Sequence, residues 1–148
     1  MTSGALQHGT VLPDDSAGPR ILVVEDHQHT AYLLEFMLER AGFAVSVAAD
    51  GNAALRAIAE DTPADLVLLD LMLPYASGFQ VLRKLRGDKA WMGVPVIVVS
   101  GKVLEQDITR AFDTGADDYV AKPFKPGELL ARIRHSLDIA RRLKAGAS

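Results

Sequence analysis

The stretch Asp65-Leu66-Val67-Leu68-Leu69-Asp70 decides the fold. Its apolar residues do not alternate with polar ones, so the run predicts a short strand buried on both faces of a sheet. Two runs share its form: Ile21-Leu22-Val23-Val24, followed by Glu25-Asp26, and Val96-Ile97-Val98-Val99, followed by Ser100. Ala44 to Val47 and Tyr119 to Ala121 are weaker candidates of the same kind. Between the runs, apolar residues recur at helical spacing. Leu33, Leu34, Met37, Leu38 and Ala41 mark one helix, ended by Gly42. Leu55 and Ile58 mark a second, and Phe79, Leu82 and Leu85 a third that stops near Gly87. Leu104, Ile108, Ala111 and Phe112 mark a fourth, ended by Gly115; Leu130, Ile133 and Leu137 mark a fifth, opened by Pro126. Strand then helix, repeated five times with short connections, predicts an α/β domain: one doubly wound parallel sheet with helices on both faces.

The chain of 148 residues fits one domain, expected over residues 20–143. Residues 1–19, rich in Gly, Ser, Thr, Pro and Asp, are expected to be a mobile tail, and 144–148 a short C-terminal tail with no room for an output domain. Hydrophobic residues at 49% and charged residues at 24% suit a globular core. A net charge of -3 gives no basic footprint for nucleic acid. With no cysteine, disulfides, zinc-thiolate sites and thiol nucleophiles are excluded. No apolar run serves as a signal peptide or spans a bilayer, so a cytoplasmic protein is expected.

In open α/β sheets, ligands bind at the carboxyl ends of the strands. The first predicted strand ends in Glu25-Asp26, the third in Asp70 and the fourth in Ser100, and the fifth is followed by Lys122. The second brings no comparable group and belongs at the edge. Singly, each of these residues reads as a helix cap, a turn or a solvated surface charge. Together they bring three carboxylates, a hydroxyl and an ammonium to one rim. Carboxylates so close repel unless a cation sits among them, and hard oxygen ligands select Mg²⁺. With the charge neutralised, one carboxylate can attack a phosphoryl group, with Lys122 supplying positive charge and Ser100 a hydrogen bond.

The motifs Ile-Leu-Val-Val-Glu25-Asp26, Asp65-Leu-Val-Leu-Leu-Asp70-Leu-Met-Leu-Pro74, Val-Ile-Val-Val-Ser100-Gly and Gly115-Ala-Asp-Asp-Tyr119-Val-Ala-Lys122-Pro123-Phe124 occur in this order. They resemble the receiver domain of two-component response regulators from about Arg20 to Arg141. The resemblance implies a flavodoxin-like fold with strand order 2-1-3-4-5. It implies that Asp70 accepts the phosphoryl group from a histidine kinase or histidine phosphotransfer protein. Asp26, Asp70 and the backbone carbonyl of Met72 would ligate Mg²⁺ directly, with Glu25 acting through water. Lys122 would pair with the phosphoryl group, Ser100 would close over it, and Tyr119 would turn inward as the switch. The Lys122-Pro123 bond would be cis. Departures from the pattern are Ser100 where Thr is also common, Gly101 for Ala, and Tyr75 for a frequent Gly, whose ring is expected to roof part of the rim. Met72 and Lys102 stand where, in the family, the rate of phosphoryl loss is tuned.

His27 and His29 follow the acidic pair, but Mg²⁺ prefers oxygen, so they read as exposed residues at a helix start. His135 reads as solvated, Trp91 as a packing residue, and Arg141-Arg142-Leu-Lys144 as the complement of a helix C-terminus. Two functional readings fit: a stand-alone signalling adaptor acting through a downstream protein, and the receiver fragment of a DNA-binding transcription factor. A third, an aspartyl phosphatase, fails because the general acid expected two residues after the nucleophile is Met72. Turnover of an external substrate is therefore not expected, and neither is binding of nucleic acid or membrane. On the predicted face of the fourth helix, fifth strand and fifth helix, Asp118 with Arg132 and Asp113 with Arg134 resemble the dimer ion pairs of transcription-factor receivers of the winged-helix type. Glu128 also matches an acidic position, but Ile108 replaces its expected basic partner and Glu128 with Arg132 reads as an i,i+4 pair within one helix, so a monomer or weak dimer is expected.

Overall fold

The computed structural model describes residues 18–147. The tail expected over residues 1–19 therefore lies outside the described residues except for its last two. Five strands, β1 (Arg20–Val24), β2 (Ala44–Ala48), β3 (Leu66–Leu69), β4 (Val96–Ser100) and β5 (Asp118–Ala121), form one sheet. They alternate with helices α1 (Gln28–Arg40), α2 (Gly51–Glu60), α3 (Gly78–Gly87), α4 (Glu105–Thr114) and α5 (Pro126–Ala147). The strand order is β2-β1-β3-β4-β5, all parallel, as expected.

Unalternated apolar strands follow from a core on each side. Leu22, Val24, Val67, Leu69, Val96 and Val98 pack on one side with Ala54, Ile58, Phe79, Leu82, Leu85 and Ala111 from α2, α3 and α4. Ile21, Val23, Leu66, Leu68, Ile97 and Val99 pack on the other with Leu34 and Leu38 of α1 and Leu129, Ile133 and Leu137 of α5. Burying each of the Val, Leu, Ile and Phe side chains stabilises the fold by about 1.5–3 kcal/mol. The edge strand β2 is the exception: Ser46 and Val47 are exposed, which explains its weak signal.

The structure corrects several expected helix faces. Leu33 of α1 is 47% exposed, Leu104 precedes α4 as its N-cap and faces solvent, and Phe112 is 44% exposed. On α5 the deeply buried leucine is Leu129, while Leu130 is only partly buried. This helix also runs on to Ala147, so the tail expected from 144 begins inside it. Its charged last turns are solvated and cross-linked by an Arg142–Asp138 pair of 2.7 Å. Trp91 is buried, as expected, and lines a groove with Arg20, Ala44 and Ala64 at the amino ends of the strands, away from the predicted rim.

Candidate functional site

Hydrogen bonding continues past the strand ends and sets the site residues in register. The Glu25 N–H donates to the Ala48 carbonyl at 3.1 Å, the Asp70 N–H to Val24 at 3.0 Å and the Lys122 N–H to Ser100 at 2.9 Å. Glu25, Asp70, Ser100 and Lys122 are therefore placed by the sheet itself.

The expected acidic cluster is present: carboxylate oxygens of Glu25, Asp26 and Asp70 lie within 4.8 Å of one another. Glu25 and Asp70 are buried, and Asp26 is exposed. Lys122 Nζ donates to Glu25 Oε1 at 2.7 Å and to Asp70 Oδ2 at 2.9 Å. The remaining oxygens of the buried pair are also held: the Met72 N–H donates to Asp70 Oδ1 at 3.0 Å and the His27 N–H to Glu25 Oε2 at 3.1 Å. Burial pushes the Glu25 carboxyl up, the Lys122 hydrogen bond opposes this, and the Asp70 charge adds to the rise. Burial alone would lower Lys122, but its two carboxylate partners outweigh it and hold the ammonium above its ordinary range. The directions are compatible because Lys122 faces two anions, whereas Glu25 shares one cation.

Three carboxylates against one ammonium leave two uncompensated negative charges at the rim. A divalent cation matches that excess, and the all-oxygen donor set suits Mg²⁺. Exposed Asp26 leaves the cluster open to solvent. His27 and His29 are exposed and stand outside the cluster, as expected. Met72 lies beside Asp70, with its N–H committed to that carboxylate.

Ser100 is fully buried, and its Oγ accepts from the Lys102 N–H at 3.2 Å. The half-buried Tyr119 donates its hydroxyl to the Lys102 carbonyl. Burial is the main reason its phenol titrates above the ordinary range. The peptide groups of Lys102 thus tie Ser100 to Tyr119, a link that residue types alone do not reveal because any residue supplies these atoms. The Lys122-Pro123 bond is cis.

The loop from Leu71 to Ser77 is held tightly. A Cβ on Gly78 would lie 2.4 Å from the Asp70 carbonyl oxygen, and one on Gly51 would lie 1.9 Å from that of Ala76, so neither position admits a side chain. The Gly78 N–H donates to Leu71 at 3.2 Å and the Gly51 N–H to Pro74 at 3.4 Å. Between these clamps Tyr75 adopts φ 70°, the left-handed region, at a strain of about 1–2 kcal/mol for a bulky residue. Its ring is 80% exposed.

The response regulator receiver domain family matches residues 21–134. The DNA-binding response regulator MtrA of Mycolicibacterium smegmatis is 47% identical over 123 residues, covering 83% of this chain and 52% of that protein. The chain thus spans about half the length of the curated relatives it matches. The receiver domain of a sensor histidine kinase of Pseudomonas aeruginosa, solved with magnesium in its active-site cleft, superposes with a TM-score of 0.76 at 33% identity, covering 82% of this chain and 99% of that one. A CheY-like receiver domain of Methanospirillum hungatei gives a TM-score of 0.79 at 30% identity, covering 84% and 97%.

Proposed function

Because the chain belongs to the response regulator receiver family, we propose that Asp70 accepts a phosphoryl group from a phosphohistidine on a histidine kinase or histidine phosphotransfer protein. The observation that carries this is the single ammonium of Lys122 held 2.7 Å from Glu25 and 2.9 Å from Asp70, beside the third carboxylate of Asp26. An Asp70 carboxylate oxygen attacks phosphorus, an O–P bond forms, and the P–N bond breaks. Its electron pair leaves with the imidazole, which is neutral after any required proton exchange with solvent. Mg²⁺, held by Asp26, Asp70 and the Met72 carbonyl and through water by Glu25, would neutralise the phosphoryl oxygens. Lys122 moves its hydrogen bond from Asp70 to the phosphoryl group, and Ser100 shifts toward that group and donates its hydroxyl hydrogen to it. That shift of Ser100 pulls on the Ser100–Lys102–Tyr119 link, freeing Tyr119 to turn inward and reshaping the face of α4, β5 and α5. The chain undergoes its own phosphorylation and dephosphorylation and is not a turnover enzyme on an outside substrate. Treatment with acetyl phosphate and Mg²⁺, followed by intact mass, tests this reading: one phosphate adduct is expected, and none when EDTA replaces Mg²⁺.

Mg²⁺ binding is expected to weaken more in Asp26→Asn than in Glu25→Gln, because a direct ligand contributes more than one acting through water. Amide shifts at Asp26 and Asp70 during an Mg²⁺ titration are the measurement. Equal losses would reverse the two roles.

The signal passes by contact with a downstream protein, in the cytoplasm, and this part of the chain touches neither nucleic acid nor membrane. Among the described residues no helix is long and apolar enough to cross a membrane. A second reading, the receiver part of a DNA-binding transcription factor, is favoured by the relatives' names and by their greater length. Whether the native gene continues past Ser148 separates the two. Arg132 already bonds Asp118 at 2.9 Å and Glu128 at 3.2 Å within one chain, leaving those charges no need of a second copy. Light scattering of the beryllofluoride-treated protein at micromolar concentration should therefore show a monomer or weak dimer. A stable dimer broken by Arg132→Ala would show that these charges pair between copies.

A further inference from the structure

A residue with φ near +70° is ordinarily glycine, because a Cβ there crowds the backbone. At position 75 the chain carries tyrosine in that conformation. The loop cannot relax around it: Ala76 abuts Gly51, and the Pro74 carbonyl is bonded to the Gly51 N–H. Nor does the fold bury the ring, which is 80% exposed. Glycine at this position would close the same turn without strain. A large aromatic side chain left bare on a tightly held backbone has its contacts to gain outside the molecule. Tyr75 shares its loop with Met72, itself 57% exposed and bonded to the Asp70 carboxylate. A small phosphoryl donor reaching Asp70 has no surface to bury against such a ring, whereas a protein presenting a phosphohistidine does.

We propose that Tyr75 is a docking contact for the phosphohistidine-bearing donor protein, its ring packing on that protein's surface and positioning the phosphohistidine over Asp70. This rests on the reading of Asp70 as the phosphoryl acceptor. Tyr75 is a positioning residue and takes no part in bond making. Its hydroxyl has no hydrogen bond within the described residues, so the ring face, with its large rigid area, is the recognition element.

The test compares two donors that share a P–N bond. One is phosphoramidate, which has no protein surface. The other is the cytoplasmic portion of a histidine kinase, chosen from an ATP-autophosphorylated panel as the fastest donor to the wild-type chain. With limiting kinase, Tyr75→Gly is expected to slow transfer about tenfold, while Tyr75→Phe stays within about twofold of wild type. Labelling by phosphoramidate should change less than about twofold in either variant, since the site chemistry is untouched. The melting midpoint of Tyr75→Gly reports folding. It should move little, because relief of the left-handed strain offsets a freer unfolded chain. Equal kinase transfer in wild type and Tyr75→Gly would overturn the proposal. So would an equal fall with both donors, which would place Tyr75 in the chemistry and not in docking. If wild type takes no label on Asp70 from either donor, the acceptor reading fails and the proposal fails with it.

Discussion

Asp70→Asn is expected to remove the phosphate adduct completely, leaving an intact mass indistinguishable from that of untreated protein. An amide oxygen is too weak a nucleophile to attack phosphorus, and no other carboxylate at the rim is placed to replace it. Asp26 is exposed and unanchored, and Glu25 is held by Lys122 and the His27 N–H. The substitution should be tolerated structurally. The amide oxygen of asparagine still accepts from the Met72 N–H, Lys122 keeps Glu25, and a repelling charge leaves the cluster. Circular dichroism and the melting midpoint should match wild type or rise slightly. Persistent labelling of the variant to the same extent would remove the central claim.

Lys122→Ala should have the largest effect on stability, and that effect should depend on metal. Glu25 and Asp70 are buried to 2% and 5% exposure, and Lys122 supplies the counter-charge that touches both. Without it three carboxylates face one another uncompensated. Breaking a fully buried ion pair costs roughly 3–5 kcal/mol. The Lys122 side chain is 22% exposed, so a smaller loss is expected, about 2 kcal/mol in EDTA at neutral pH. For a domain of this size that lowers the melting midpoint by roughly 5–10 °C. Millimolar Mg²⁺ should restore most of it, because the variant retains all three carboxylates. Mild acid should also help. The folded Glu25 carboxyl already sits above its ordinary 4.5 and rises further without Lys122. The folded state therefore binds its proton more readily, and stability is lost as pH climbs through that raised value. Equal stability of variant and wild type in EDTA would show that the cluster is not held by Lys122. Phosphorylated Lys122→Ala should also fail to move the Tyr119 and α4 amide signals, since the ammonium would no longer pull on the phosphoryl group.

The strands and the chemistry at their ends were legible because they depend on residue type and order. A run such as Leu66 to Leu69 has one stable use in water, between two covered faces, and the polar residue that follows it falls at the rim. Helix rotation was less legible. Leu33 and Leu34 are equally apolar neighbours about 100° apart around a helix axis, and so are Leu129 and Leu130. The sheet decides which of each pair is buried, through contacts with Leu66 and Leu68 that lie far away in sequence. Trp91 is apolar enough to be expected in the core, but its place at the amino ends of the strands follows from topology.

The sequence by itself determined the alternating strand and helix order, the buried sheet, and the set of acids, hydroxyl and lysine delivered to one edge, because periodicity and strand-end position are local properties of the chain. Only the tertiary structure decided the Lys122 bridge to Glu25 across 97 residues, the Lys102 peptide joining Ser100 to Tyr119, and the left-handed backbone of Tyr75. The first two are distances between segments that meet only when the sheet closes. The third is a torsion imposed on the loop by the approach of Gly51 and Gly78 to its backbone. Nothing in a tyrosine's own preferences would put it there.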